Sequence, residues 1–140
     1  MLVLDTNVVS EVMLNSPSSK VLAWFSKMRS VDQLFVTTIT VAEILYGIEL
    51  LPAGKRRDGL ETDAGRMFAL DYSGRILVFD ESAARAFAQI ASSRRKIGRP
   101  IAELDAQIAS IARVNDATLA TRNTSDFEGC GVRLVNPWVD

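Results

Sequence analysis

The sequence predicts an α/β fold in which a mostly parallel sheet of four or five strands is covered by helices on both faces. Three observations carry that expectation. Short apolar or β-branched runs alternate with segments of helical period along all 140 residues, as in strands joined by helical crossovers. No repeat, low-complexity tract or Gly/Ser/Pro-rich linker divides the chain, so residues 1–140 are expected to form one domain. A chain of this length buries roughly two-thirds of its unfolded surface. Finally, polar residues follow directly on the strand runs, as where Leu2-Val3-Leu4 meets Asp5-Thr6-Asn7. That is where an open α/β sheet forms its ligand crevice.

The elements follow in order. Leu2 to Leu4 is the first strand. Val8 to Leu14 is predicted as a short helix ended by Asn15-Ser16-Pro17, and Ser19 to Met28 as a second with Val21, Leu22, Trp24 and Phe25 as its apolar content. Leu34 to Thr37 is β-rich. Thr40 offers an N-cap with Glu43 at the capping-box spacing. Val41, Ile44, Leu45, Ile48 and Leu51 then recur at helical period until Pro52 and Gly54. A more polar helix is expected from Arg56 to Leu70 and a third strand from Ile76 to Phe79. Asp80 opens an alanine-rich helix that reaches Arg94-Arg95-Lys96 and stops at Gly98 and Pro100. Ile101 to Val114 is a further helix, Thr118 to Ala120 a short strand, and Val132 to Val135 a fifth.

Composition bounds the chemistry. Apolar residues make up 48% and the mean hydropathy is +0.13, yet charge interrupts every apolar run before the ~20 residues a membrane helix needs. A soluble protein without membrane contact is expected. A strand in place of a basic and apolar address segment, together with a lone Cys130 that cannot form an internal disulfide, predicts a cytoplasmic location. With 16 basic and 17 acidic residues, the whole molecule creates no field that draws polyanions. Lys55-Arg56-Arg57 and Arg94-Arg95-Lys96 with Arg99 are the local basic clusters. They are either solvated helix ends, where cations oppose the dipole, or nucleic-acid contacts. The absence of histidine and the single cysteine argue against a zinc site. Carboxylates are left to do the chemistry.

Asp5 stands at the end of the first strand, where it is either a helix cap or a site residue. On a wheel of the helix from Ile101, Leu104, Ile108, Ile111, Ala112, Ile101 and Ala109 share an arc of roughly 160° that also contains Asp105. Glu103, Gln107, Ser110 and Arg113 fall outside it. A carboxylate in an apolar arc needs a cation, donors or neutralisation. Two carboxylates at one sheet edge repel unless a divalent ion lies between them, and all-oxygen ligands favour Mg²⁺ or Mn²⁺. For Glu43, periodicity leaves capping and site roles equally open. The loop from Thr121 to Asp126 follows a buried strand and brings a fourth acidic group, although an ordinary polar loop reads the same way.

Taken together, Leu4-Asp5-Thr6-Asn7, Thr40-Val41-Ala42-Glu43 with Tyr46-Gly47, Ile101-Ala102-Glu103-Leu104-Asp105 with Ile108-Ala109, and Ala120-Thr121-Arg122-Asn123 with Asp126-Phe127 resemble the ordered motifs of PIN-domain ribonucleases. The likeness covers the whole chain. It is closest to VapC-type toxins of the FitB-like branch, including the terminal Asn136-Pro137-Trp138. The resemblance implies a three-layer α/β/α sandwich and Mg²⁺- or Mn²⁺-dependent endonucleolytic cleavage of RNA. It assigns Asp5, Glu43 and Asp105 to the family's acidic positions, as catalytic residues and metal ligands. The fourth position departs from the pattern: the residue after Thr121-Arg122 is Asn123, and the nearest carboxylate is Asp126. Either Asp126 supplies the charge or Asn123 serves as a neutral ligand, with one ion or two.

By the same resemblance Thr6, Asn7, Thr121 and Asn123 support the site; because the site is acidic and the phosphodiester anionic, Arg122, Arg94 and Arg95 are candidates to hold the RNA backbone. A small antitoxin partner that occludes the acidic site and carries the DNA contact is implied, as is a homodimer. Leu50, Tyr46, Trp24 and Phe25 are available either for such interfaces or for the core. Two other classes share part of the pattern. An aspartyl-phosphate phosphoryl-transfer domain would use Asp5 as nucleophile, but the haloacid-dehalogenase pattern needs a second Asp where Asn7 stands. A non-catalytic module would use the acidic crevice only to receive a basic segment of another protein.

Overall fold

In the computed structural model, which describes residues 1–140, β1 (Leu2–Leu4), β2 (Leu34–Thr37), β3 (Ile76–Leu77), β4 (Thr118–Ala120) and β5 (Arg133–Val135) form one sheet in the order β3-β2-β1-β4-β5. Every neighbouring pair is parallel, with Leu2 opposite both Leu34 and Thr118. Parallel strands require crossovers, which the helices supply: α1 (Thr6–Val12), α2 (Ser19–Val31), α3 (Thr38–Glu49), α4 (Lys55–Arg66), α5 (Glu81–Lys96) and α6 (Glu103–Val114).

Alternation along the strands divides the core in two. Leu2, Leu4, Leu34 and Val36 face one side and pack with Val8, Val9, Trp24, Ile44, Ile48 and Phe68. Val3 and Phe35 point the other way, onto Ile90, Ile108, Ala109, Ala112 and Phe127. Helices α1 to α4 therefore cover one face and α5 and α6 the other, giving the expected three-layer α/β/α sandwich of five strands. Each fully buried Val or Leu contributes about 1.5–3 kcal/mol relative to exposure, and Val3, Leu4, Val8, Val9 and Leu119 are wholly inaccessible. No helix is long and apolar enough to cross a membrane.

From β1 the chain winds outward to β2 and β3, then returns to lay β4 and β5 on the opposite side. The winding reverses between β1 and β4. At such a switch point neighbouring crossovers leave a crevice beyond the carboxyl ends of the strands, and Asp5 and Thr121 are the first residues beyond β1 and β4.

Several boundaries differ from the sequence pattern, each for a local reason. Thr40 is not the cap of α3: Thr37 is, accepting from the Thr40 backbone N–H at 3.2 Å, because the helix starts directly at the end of β2. The third strand pairs only over Ile76–Leu77, being an edge with one neighbour, and the chain turns at Val78 to reach the Asp80 cap. The polar helix ends at Arg66 and continues as a single π-turn, Met67–Asp71, where Tyr72 N–H reaches back to the Met67 carbonyl at 3.2 Å. Helix α6 starts at Glu103 rather than Ile101. On that helix Leu104 is 46% exposed and Ser110 is wholly buried, its hydroxyl donating to the Ala106 carbonyl. The wheel misjudged both, since α5 covers a flank of α6 that a single-face pattern assigns to water.

Candidate active site

Asp5 is placed by the abrupt end of β1. Its backbone N–H still pairs with the Ala120 carbonyl at 2.9 Å as an extension of the sheet, and its side chain caps α1 through the Thr6 N–H at 2.8 Å. One carboxylate thus both caps α1 and lines the crevice beyond the sheet. The second oxygen, Oδ2, accepts the Thr121 hydroxyl proton at 2.7 Å. Thr121 Oγ1 in turn accepts from Asn7 Nδ2 at 3.4 Å and from the Asn123 N–H at 3.1 Å. With one proton given and two lone pairs filled, the hydroxyl has a single orientation.

Glu43 is fixed by an analogous chain. Thr6 Oγ1 donates to Glu43 Oε1 at 2.7 Å and lies 2.9 Å from Thr40 Oγ1. A hydroxyl has one proton, so Thr40 is the donor to Thr6. The Glu43 side chain therefore reaches across to the start of α1 instead of back to its own helix. That excludes the capping box and leaves the Glu43 side chain lining the crevice.

Asp105 enters from the first turn of α6 and is half-buried. It lines one crevice of about 460 Å³ together with Asp5, Glu43, Glu11, Thr6, Asn7, Ser10 and Asn123. No Lys or Arg lines it. Burial, only partly offset by the Thr121 and Thr6 donors, pushes the Asp5 carboxyl up to about 6, with Asp105 and Glu43 adding repulsion. Asp105 is raised as well, first by burial, then by the charges of Asp126 and Glu43, with no donor to offset them.

The four lining carboxylates, Asp5, Glu11, Glu43 and Asp105, with no lining Lys or Arg, fit a hard divalent cation. No three Asp, Glu or Cys side chains close directly around a single point. The donor set is one that takes an ion through one or two carboxylates and completes its shell with water, as Mg²⁺ does.

The remaining candidates separate. Asn123 lines the crevice, whereas Asp126 is exposed on a 3-10 turn (Thr124–Phe127) and acts on Asp105 through its charge. Arg95 is exposed. Arg94 is a correction: it is buried, and its guanidinium donates to the carbonyls of Arg99 at 2.7 Å, Asp126 at 2.6 Å and Glu128 at 3.1 Å, and to Cys130 Sγ. It ties the loop after β4 to α5, with Nε and Nη1 engaged in that clamp. Trp24 is buried and Phe25 packs partly on the core, while Tyr46 and Leu50 are both 66% exposed.

Glu11 and Ser10 were not anticipated as crevice residues. Asn7, Ser10 and Glu11 follow the i, i+3, i+4 spacing of one helix face, a signal that was present once Asn7 was placed at the rim.

The family model described as PIN domain matches residues 2–129. A relative described as VapC ribonuclease Y4jK, from Sinorhizobium fredii, is 38% identical over 138 residues, covering 99% of this chain and 98% of its own. Toxin FitB from Neisseria gonorrhoeae is 38% identical over 140 residues, with 100% of both chains covered. Among solved structures, FitAB bound to an IR36 DNA fragment superposes with a TM-score of 0.90 at 38% identity, covering 99% of this chain and 96% of that one.

Proposed function

The chain belongs to the PIN-domain family, and from that premise we propose that it is a Mg²⁺- or Mn²⁺-dependent endoribonuclease acting as the toxin of a type II toxin–antitoxin pair. The observation that carries this reading is the crevice at the switch point, where Asp5, Glu43 and Asp105 meet with no protein cation among the lining residues. Relatives described as a VapC ribonuclease and as the toxin FitB support it.

Asp5 and Asp105 would hold the ion, with Glu43 and Asn123 beside them and Asp126 beyond Asp105. When bound there, Mg²⁺ or Mn²⁺ supplies positive charge for the phosphoryl oxygens and lowers the pKa of the attacking water. The chain supplies the rest. Thr121 holds one Asp5 oxygen and the Thr6 N–H the other, so this carboxylate cannot rotate, while the Thr40–Thr6 relay keeps Glu43 turned toward the crevice. Such fixed donors keep the carboxylates preorganised for the transition state.

An antitoxin is the partner this reading requires, with DNA contact left to that partner; FitAB, a similar structure, is solved bound to a DNA fragment. A groove of about 470 Å³ begins at Thr6 and Glu43 and runs past Met13, Ile44, Ile48 and Leu60. Lys55, Arg56 and Asp63 also line it, so an amphipathic segment would follow it to the acids. The exposed Tyr46 on α3 and Leu50 at its C-cap are the proposed surface for a homodimer.

Incubating the purified chain with single-stranded RNA tests the activity. Cutting is expected with Mg²⁺ or Mn²⁺, is stopped by EDTA and is absent in Asp5→Asn. Cutting that survives EDTA and the substitution would contradict the assignment, and acid-labile labelling of Asp5 without RNA cleavage would favour phosphoryl transfer.

A further inference from the structure

Arg122 follows Thr121 and its backbone N–H meets Asn7, a residue that lines the crevice, yet no carboxylate pairs with its side chain. Its guanidinium carbon lies over the Trp138 ring, 5.0 Å from the centroid. Both ends of this contact are tied down. The Arg122 N–H donates to Asn7 Oδ1 at 3.3 Å and its carbonyl accepts from Asn136 Nδ2 at 3.2 Å. Asn136 Oδ1 accepts the Trp138 N–H at 2.9 Å, and the half-buried indole packs against the core beneath the sheet. Asn7 itself lines the crevice.

An exposed arginine ordinarily samples many rotamers and loses that freedom on binding. An aromatic face under the cation removes part of that cost beforehand and leaves the in-plane N–H donors free for an anion, a geometry suited to phosphate. The role for such a cation is electrostatic: in a chain of net charge −1 whose crevice is lined by Asp5, Glu11, Glu43 and Asp105 with no Lys or Arg, a fixed positive group beside it favours the flanking phosphates.

We propose that Arg122, held by Trp138 and Asn136, forms a phosphate subsite for the stretch of RNA flanking the scissile bond, with Trp138 as its positioning residue. The proposal rests on the ribonuclease reading for the identity of the ligand. Its test is arranged to stand apart from cleavage.

Binding of a short fluorescein-labelled single-stranded oligoribonucleotide of mixed sequence is followed by anisotropy on Asp5→Asn protein in EDTA, so that no cutting occurs. Arg122→Gln is expected to weaken binding about fivefold and to lower the log–log salt slope by about 0.7, the value for one lost phosphate contact on a single strand. Trp138→Leu should weaken it about two- to fivefold, Trp138→Phe should restore most of the loss, and Trp138→Leu added to Arg122→Gln should cost nothing more. In cutting-competent protein the same changes should raise KM and leave kcat within about twofold.

Equal binding and equal salt slope in wild type and Arg122→Gln would overturn the subsite, and so would a wild-type chain that does not bind the probe. Arg122→Gln alters an exposed side chain and decides the matter even if Trp138→Leu fails to fold. Salt-sensitive binding lost in Arg122→Gln, in a chain that never cuts RNA, would keep the subsite and remove the nuclease reading. Cutting without any Arg122 effect would do the reverse.

Discussion

Thr121 Oγ1 donates to Asp5 Oδ2 at 2.7 Å across 116 positions of sequence, a contact made possible because β1 and β4 lie side by side with Leu4 opposite Ala120. The carboxylate it holds is the most buried acid of the crevice. Removing a donor behind a metal-binding carboxylate typically costs about 10- to 100-fold in metal affinity or activity. Thr121→Val is therefore expected to lower kcat/KM by about that factor, while Thr121→Ser, which keeps the hydroxyl, stays within a few-fold of wild type. Full activity in Thr121→Val would show that the hydrogen bond does not position the site.

The burial of Asp5 also has a consequence for stability. Its pKa rises from 3.8 to about 6 on folding, so the protonated form is favoured in the native state. The stability this gives is complete below about pH 3.8 and is lost as pH rises through about 6, for a total on the order of 3 kcal/mol. In EDTA, Asp5→Asn should melt higher than wild type near pH 7, and the two should converge toward about pH 4. Parallel Tm curves across that range would contradict the burial of an ionised Asp5. Added Mg²⁺ should narrow the gap at neutral pH by stabilising only the wild type.

Activity should follow the same ionisation in the opposite sense. With metal limiting, the rate should rise with pH through about 6 as Asp5 loses its proton, and the midpoint should move lower as Mn²⁺ is raised, because protons and the ion compete for one carboxylate. Measuring kcat/KM against pH at two Mn²⁺ concentrations distinguishes this from a metal-independent ionisation, for which the midpoint stays put.

Arg94 and Arg95 are neighbours with opposite fates. Arg94→Ala leaves the carbonyls of Asp126 and Glu128 without their buried donor, which should destabilise the fold by roughly 3 kcal/mol or more in urea unfolding. Arg95→Ala, at an exposed position, should change it by less than about 0.5 kcal/mol. Equal losses would mean that Arg94 is not the clamp its contacts describe.

The contrast within that basic cluster shows where sequence reading reached its limit. Alternating short strands and helices gave the layers, and the polar residues after β1 and β4 gave the edge at which the site forms, since both follow from local pattern. Asp5 and Asp105 were visible for the same reason: each breaks an apolar run. Glu43 was ambiguous because its partner, Thr6, lies 37 positions away, and only the packing of α1 against α3 decides between cap and crevice. Arg94 was misjudged because a cation at a helix end looks alike whether it faces water or the carbonyls of a distant loop. Leu104 and Ser110 failed because α6 is covered on two flanks. The support of Arg122 by Trp138 was invisible for the same kind of reason, being created by the pairing of β4 with β5.

The central claim, that the carboxylates of Asp5 and Asp105 hold a divalent ion, is tested most directly by titrating Mn²⁺ into the metal-free chain and following free Mn²⁺ by electron paramagnetic resonance. Wild type should remove Mn²⁺ from solution saturably, with Asp5→Asn and Asp105→Asn each weakening the affinity by about 10-fold or more. Binding of equal strength in wild type and both substituted chains would contradict it.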